Sequence, residues 1–421
     1  FGDYFLEYIR ANYSVGVNDL VVYFFNRIYS LINQDKYLAL ITTSSISQGD
    51  MRSGALDNIQ QHNGNIIFAI KSLRWPGVAN LNVALVSIKK GSTLRENIEL
   101  NGKRVQYISS FLSSEIQLGE PFEIKGNEDR MFTGYYFLGD GFLLTNESAK
   151  EIIEDDPRYK DVILPFINGD DLNDSIDQSP SRSIINFYDW PLDETYDFSL
   201  KIPRGRPYAV DYPICLDIVE RLVKPERQRW KLDENGNEIA GEYALRKPLP
   251  ERWWIYGESR PGMRKAIKNL SYFFATAQTT KFLNFIRLDS TIAVSQTAFV
   301  YSSEDFSHFL ILQSNLHYEW SVKYGNSKGD TFRYAPSKTF ETYPFPQELS
   351  AQQNEQLRSI GESYHEHRRQ IMLGMQLGLT KTYNLFHSNA ITAQAVNEKD
   401  KQVAALQKHL EKTPNTISFN E

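Results

Sequence analysis

The 421-residue chain has a single cysteine, Cys215. One thiol excludes a disulfide framework and any zinc site built from several thiolates, and it points to a reducing compartment, the cytoplasm. No long uncharged apolar run is present, which excludes a membrane-spanning helix and a membrane partner. The phosphate-binding Gly-x-x-x-x-Gly-Lys loop, Gly-x-Gly-x-x-Gly after a strand, His-Glu-x-x-His and Gly-x-Ser-x-Gly are all missing. There is no Pro-Pro pair, and the chain opens on Phe1 with neither an initiator methionine nor a charged-then-apolar leader, so it reads as the interior of a longer polypeptide. Positive charge is also short: the net charge of −6 argues against a protein that coats polyanions indiscriminately, but it leaves room for a local basic groove.

Aromatic residues, by contrast, are plentiful at 13%. They serve large cores or surfaces that stack on planar ligands, and core packing accounts for most of them. Residues 1–35 carry helical spacing at Leu20, Tyr23, Phe24, Arg27, Ile28 and Leu31, with Asn18 as the expected N-cap. Tyr37 to Thr43 reads as a buried strand entering a polar loop, Ser44 to Asp50. A helix over 53–61 and two further strands, Ile66 to Ile70 and Asn82 to Ile88, follow, giving an α/β arrangement. From 93 to 346 the pattern becomes mixed, with one longer helix expected over 261–270. After Pro344 and Pro346 two polar helices are expected, 357–375 and 390–410. Between Glu147 and Asp197 there are 14 acidic and 4 basic residues, whereas Lys201 to Lys268 holds 15 basic and 10 acidic, so any basic surface is local.

Several segments carry candidate chemistry. Trp75, in a Trp-Pro-Gly turn between two strands, is either a lid over the core or a platform for a planar ligand such as a base extruded from a duplex, with Arg74 placed to meet a phosphate. Arg260, Arg264, Lys265 and Lys268 make a helix start that either contacts phosphates or presents a solvated basic face. The 323–343 segment offers Lys328, Asp330, Thr331 and Arg333 between aromatic anchors. Arg333 suits bidentate reading of guanine, and a carboxylate can accept from cytosine. His365-Glu366-His367 cannot grip one metal ion, because residues two apart on a helix diverge by about 200°, so a solvated helix face is expected.

Taken in order, Asn18-Asp19-Leu20, Leu40 to Gly49, Trp75-Pro76-Gly77 and Val86 to Gly91 resemble the second half of a gamma-type amino-methyltransferase domain. Trp253-Trp254, Arg260-Pro261-Gly262, Arg333-Tyr334-Ala335-Pro336-Ser337, Phe340 to Pro346 and Leu379 to His387 resemble the target-recognition and C-terminal parts of MmeI-like type II restriction-modification proteins. The resemblance spans nearly the whole chain. It implies an α/β, partial Rossmann-like sheet over 1–92, a mixed α+β DNA target-recognition domain over 93–346 and a C-terminal helical segment over 347–421. It further implies that Trp75 stacks on a flipped adenine, that Ser44 and Gln48 line its pocket, and that Ser295 and Thr297 lie with Arg333 where bases are read. In the family the S-adenosylmethionine motif and the Asn-Pro-Pro-aromatic motif precede the matched region. Adenine-N6 methylation, with S-adenosylmethionine as donor and no metal, is therefore expected of an intact protein, and neither tight donor binding nor methyl transfer is expected of this chain alone. Double-stranded DNA and an upstream methyltransferase half are the expected partners. A nuclease further upstream would make the whole a combined endonuclease and methylase. A non-catalytic protein-interaction module using the acidic stretch is the alternative.

Overall fold

The computed structural model describes residues 3–13, 18–79, 81–93, 96–115, 121–195, 205–328 and 331–387. It divides into two compact units, the first made of residues 1–127, 280–282 and 314–344, the second of 128–279, 283–313 and 345–421. The segment around Arg333 therefore belongs with the N-terminal sheet and not, as the sequence pattern suggests, with the long middle region.

Unit one begins with helices α1 (Asp3–Asn12) and α2 (Leu20–Leu31). Asp19, not Asn18, caps α2, its carboxylate accepting from the Val21 N–H, while the Asn18 N–H donates to the Tyr23 hydroxyl. Val22, Phe25 and Tyr29 turn inward onto a mixed sheet ordered β1-β3-β2-β4-β5. β1 (Tyr37–Thr43) and β2 (Gly64–Arg74) both pair antiparallel to β3 (Asn82–Lys90), which lies between them, so they run parallel to each other. The short β4 (Glu99–Leu100) adds parallel to β2, and β5 (Lys103–Arg104) closes the edge. Gly64 is required where β2 begins, because a Cβ there would stand 2.3 Å from Ile59 Cγ2.

The loop after β1 tightens into a 3-10 turn, Ser44–Ser47, and runs straight into α3 (Gly49–Arg52), a π-turn (Ser53–Asp57) and α4 (Asn58–Gln61). The expected helix is thus longer and widened in the middle. A π-turn brings residues five apart together, and here Arg52 pairs with Asp57 at 2.5 Å while its guanidinium covers the Phe111 ring at 3.9 Å.

Unit two holds two four-stranded sheets. One is antiparallel, ordered Ile286–Asp289, Tyr272–Ala277, Ala298–Tyr301, Met131–Thr133; the other is ordered Ala293–Val294, Ile163–Ile167, Arg182–Ile185, Leu143–Thr145. Trp253, Trp254 and Tyr256 fill its core with Phe142, Phe187 and Phe273. Arg227 is buried among them, its guanidinium donating to the carbonyls of Phe137, Leu138 and Ile255, and burial pushes its pKa down to about 10. The expected 261–270 helix is shorter, Pro261–Ile267, and the ten-residue helices Asn146–Asp155 and Pro213–Leu222 have no counterpart in the sequence reading. A 25-residue helix, Ala351–Met375, starts at a Ser350 and Gln353 capping box and crosses the helix Phe306–Leu312 at Gly361, where a Cβ would meet the Phe306 carbonyl oxygen at 2.3 Å. The expected 390–410 helix lies outside the described residues. Among the described residues no helix is long and apolar enough to cross a membrane.

Candidate nucleic-acid interface

The polar turn after β1 and the β2–β3 hairpin enclose an open cavity of about 510 Å³ in unit one. Ser44, Ser47, Gln48, Ile70, Lys71, Ser72, Asn82 and Asn101 line it, so both pocket residues expected from the sequence stand in one wall. Ser47 is buried and its hydroxyl donates to the Ser44 carbonyl, which sets the turn. Lys71, Asn82 and Asn101 were not foreseen. Their positions on β2, β3 and after β4 follow from strand order, which the sequence does not display.

Trp75 does not line this cavity. It stands three residues beyond Ser72 on the same chain segment, 41% exposed, with its backbone N–H donating to the Leu81 carbonyl. Its indole lies over Gly77, where a Cβ would come within 2.5 Å of Nε1. A tryptophan left this open at a hairpin end is no lid over the core. Arg74 beside it is also exposed.

In the same unit, Asn326–Lys328 and Thr331–Arg333 form an antiparallel hairpin. Strand alternation turns Phe332 inward and leaves Thr331 and Arg333 on the outer face. Phe332 seats the hairpin over Gly325, and the Tyr334 hydroxyl is hydrogen-bonded to His317 Nε2 at 3.1 Å on the helix Asn315–Tyr324. The strand Asn326–Lys328 lies against the Ser44–Ser47 turn. The hairpin that carries Arg333 is thereby brought to the pocket wall across almost 300 residues of sequence. Lys328 lies in that strand, and Asp330 is outside the described residues.

Unit two redistributes the other candidates. Ser295 is buried, with its N–H on the Ile167 carbonyl and its Oγ accepting from Thr297, so it shapes a turn and has no edge to offer a base. Thr297 is exposed, although its hydroxyl accepts from the Gly169 N–H at 2.8 Å. Arg260 is held by Glu258 at 2.5 Å and donates to the Gly134 carbonyl at 3.1 Å. Arg264 is bound to the Asp189 carboxylate and lies over the Tyr188 ring. Both arginines are committed to these internal partners and are not the phosphate contacts that the sequence suggests. Lys265 and Lys268 are exposed on the rim of a cavity of about 1010 Å³ floored by Ile163, Leu164 and Ile292. His365 is not on a solvated face: it packs edge-on to Phe306 and Phe309, and burial lowers its pKa to about 4. No group of three or more acidic, histidine or cysteine side chains suited to a metal ion occurs among the described residues.

The fold is similar to that of MmeI-like restriction-modification proteins. The chain is similar to the type IIL restriction-modification enzyme MmeI, solved in complex with DNA, at a TM-score of 0.58 and 16% identity, over 97% of this chain and 50% of that one. It spans about half the length of that relative. The type IIG restriction endonuclease BpuSI aligns over 92% of this chain and 48% of its own at a TM-score of 0.30 and 10% identity, a level from which nothing follows. No protein-family model matches the chain, and no curated protein matches it by sequence.

Proposed function

We propose that this chain is the DNA target-recognition part, with the distal portion of the catalytic sheet, of an adenine-N6 DNA methyltransferase from a bacterial restriction-modification or phage-defence system. The observation that carries the reading is the meeting, within one compact unit, of a cavity lined mostly by neutral polar groups, together with Lys71 and Ile70, and a hairpin that presents Arg333 outward. Bases are read by guanidinium and amide groups on protruding elements, while a base taken out of the stack needs a polar pocket and an aromatic platform. Ser44 and Gln48 supply the pocket, Trp75 the platform, Thr331 and Arg333 the reading face, with Lys328, Asp330 and Thr297 as further base contacts. Arg74, Lys265 and Lys268 supply phosphate contacts, which position the duplex without reading it.

S-adenosylmethionine is the methyl donor of the intact protein in this reading. The described residues do not fit it: β1 runs into the serine-rich turn Ser44–Ser47, and no glycine-rich strand-to-helix turn accompanies it. The donor is assigned to an upstream half of the polypeptide. Cleavage by a nuclease upstream is compatible with the same chain.

Selection on a random duplex library at moderate salt tests the reading: a short enriched motif is expected, and weak retention of all sequences alike would favour a protein-interaction module. Arg333→Ala should relax preference at one base pair of that motif, at a cost of about 1–3 kcal/mol on the cognate site. Equal loss on every sequence would make Arg333 a phosphate contact instead.

A further inference from the structure

The polar groups of the unit-one cavity fall into two kinds. Ser44, Ser47, Gln48, Ser72 and Asn82 are neutral, and each can both donate and accept, as the edge of a base requires. Lys71 and Asn101 differ. Asn101 stands after β4 with φ 51°, and its Oδ1 accepts the Lys71 backbone N–H at 2.9 Å. That bond fixes which end of the amide is oxygen, occupies one of its two lone pairs and leaves both Nδ2 hydrogens for other partners. Lys71 adds an ammonium with donors alone. The two residues, tied to each other through one hydrogen bond, thus make a site that can give hydrogen bonds and has little capacity to accept them. Among the described residues no carboxylate lines the cavity. Glu115 acts on Lys71 from outside it and favours the charged form, against a burial effect that lowers the pKa. A phosphate oxygen only accepts, and a cavity of this size lies within the roughly 300–1,000 Å³ of ordinary small-molecule sites.

We propose that Lys71 and Asn101 hold the phosphate of a strand nucleotide whose base occupies the pocket of Ser44 and Gln48. The inference rests on the base-pocket reading above and adds to it the group that anchors the nucleotide. Charge-assisted hydrogen bonds to phosphate are stronger than neutral ones, so the anchor contributes affinity that does not depend on which base is bound.

Calorimetric titration of the full chain with deoxyadenosine and with deoxyadenosine 5′-monophosphate tests it, alongside Lys71→Gln, Lys71→Arg and Asn101→Asp. Aspartate keeps the oxygen that receives the Lys71 N–H and replaces the donor with a repelling oxygen. Wild type should prefer the nucleotide by about tenfold. Lys71→Gln and Asn101→Asp should bring that ratio close to one with nucleoside affinity unchanged, and Lys71→Arg should keep it. Binding of a duplex with adenine opposite an abasic position should show a salt slope shallower by about 0.9 in Lys71→Gln. A wild-type ratio in both disabling variants overturns the proposal, as does equal loss for nucleoside and nucleotide, which would make Lys71 part of the wall. An altered ratio with an unaltered duplex slope overturns the strand assignment in favour of free nucleotide. Wild type that takes up neither compound removes the base pocket itself, an outcome distinct from failure of the anchor alone.

Discussion

At the scale of single residues, the basic start of the Pro261–Ile267 helix separates into two kinds of cation that look alike in sequence. Arg264 is bound to Asp189, which also accepts from the Ser259 hydroxyl, so Arg264→Ala leaves a partly buried carboxylate with one partner fewer. Hydrogen bonds to charged groups are worth about 1.5–3 kcal/mol, and unit two should lose about 2 kcal/mol of stability in this variant, read by urea denaturation. Lys265 and Lys268 point to solvent. Replacing both with alanine should leave the denaturation midpoint in place and make the salt slope of DNA binding shallower by about 2, at about 0.9 per phosphate. An unchanged slope would take these lysines off the DNA. Composition showed a local excess of basic charge, but which charges are already paired is decided by Asp189 and Glu258, 75 and two positions away from their respective arginines, and only the first of these is remote.

At the scale of elements, the long helix Ala351–Met375 shows how a sequence pattern misleads. His365-Glu366-His367 looks like a solvated face, yet Gly361 lets the helix approach Phe306 closely enough for His365 to be half-buried against Phe306 and Phe309. Burial is the main cause of its low pKa, about 4, with Arg368, Arg287 and Arg369 acting in the same direction and Glu366 against it. The unfolded chain, with histidine near 6.5, binds a proton that the folded form refuses between about pH 6.5 and 4. Stability should therefore fall as pH drops through that window, by on the order of 3 kcal/mol, and level off below it. Thermal melts of wild type and His365→Leu from pH 7 to 4.5 check this: the variant should lack that part of the decline, and parallel curves would place the histidine in water. The strands β1, β2 and β3 were legible because their apolar runs are continuous and bounded by turn residues. The helices Asn146–Asp155 and Asn315–Tyr324 were not, since the first is short and lies in an acidic stretch with few apolar residues, and the second carries aromatic and polar groups on every face.

At the scale of the whole molecule, the pocket turn and the Trp75 hairpin were readable from local sequence, but the partnership between the pocket and Arg333 was not. It depends on chain crossings between units that no local pattern records. A boundary near residue 92 would predict that the N-terminal piece stands alone. The structure indicates otherwise, because residues 314–344 complete unit one. Asn127 Nδ2 donates to the carbonyls of Phe340 at 3.0 Å and Tyr343 at 2.9 Å, the Ile124 N–H donates to Glu341, and Phe111, which lies under Arg52, meets the Tyr324 ring edge-on. A fragment ending at residue 127 would expose Phe111 and leave those donors without carbonyls, each at a cost of about 1–3 kcal/mol. Against a typical stability of about 5–15 kcal/mol for a domain, that loss is decisive. Fragment 1–127 should show no cooperative melt and rapid proteolysis, whereas the same fragment joined by a flexible linker to 314–344 should regain a sigmoidal transition. A cooperative melt of 1–127 by itself would mean that the hairpin bearing Arg333 is an accessory on a self-sufficient sheet, free to differ between relatives without cost to the fold beneath it.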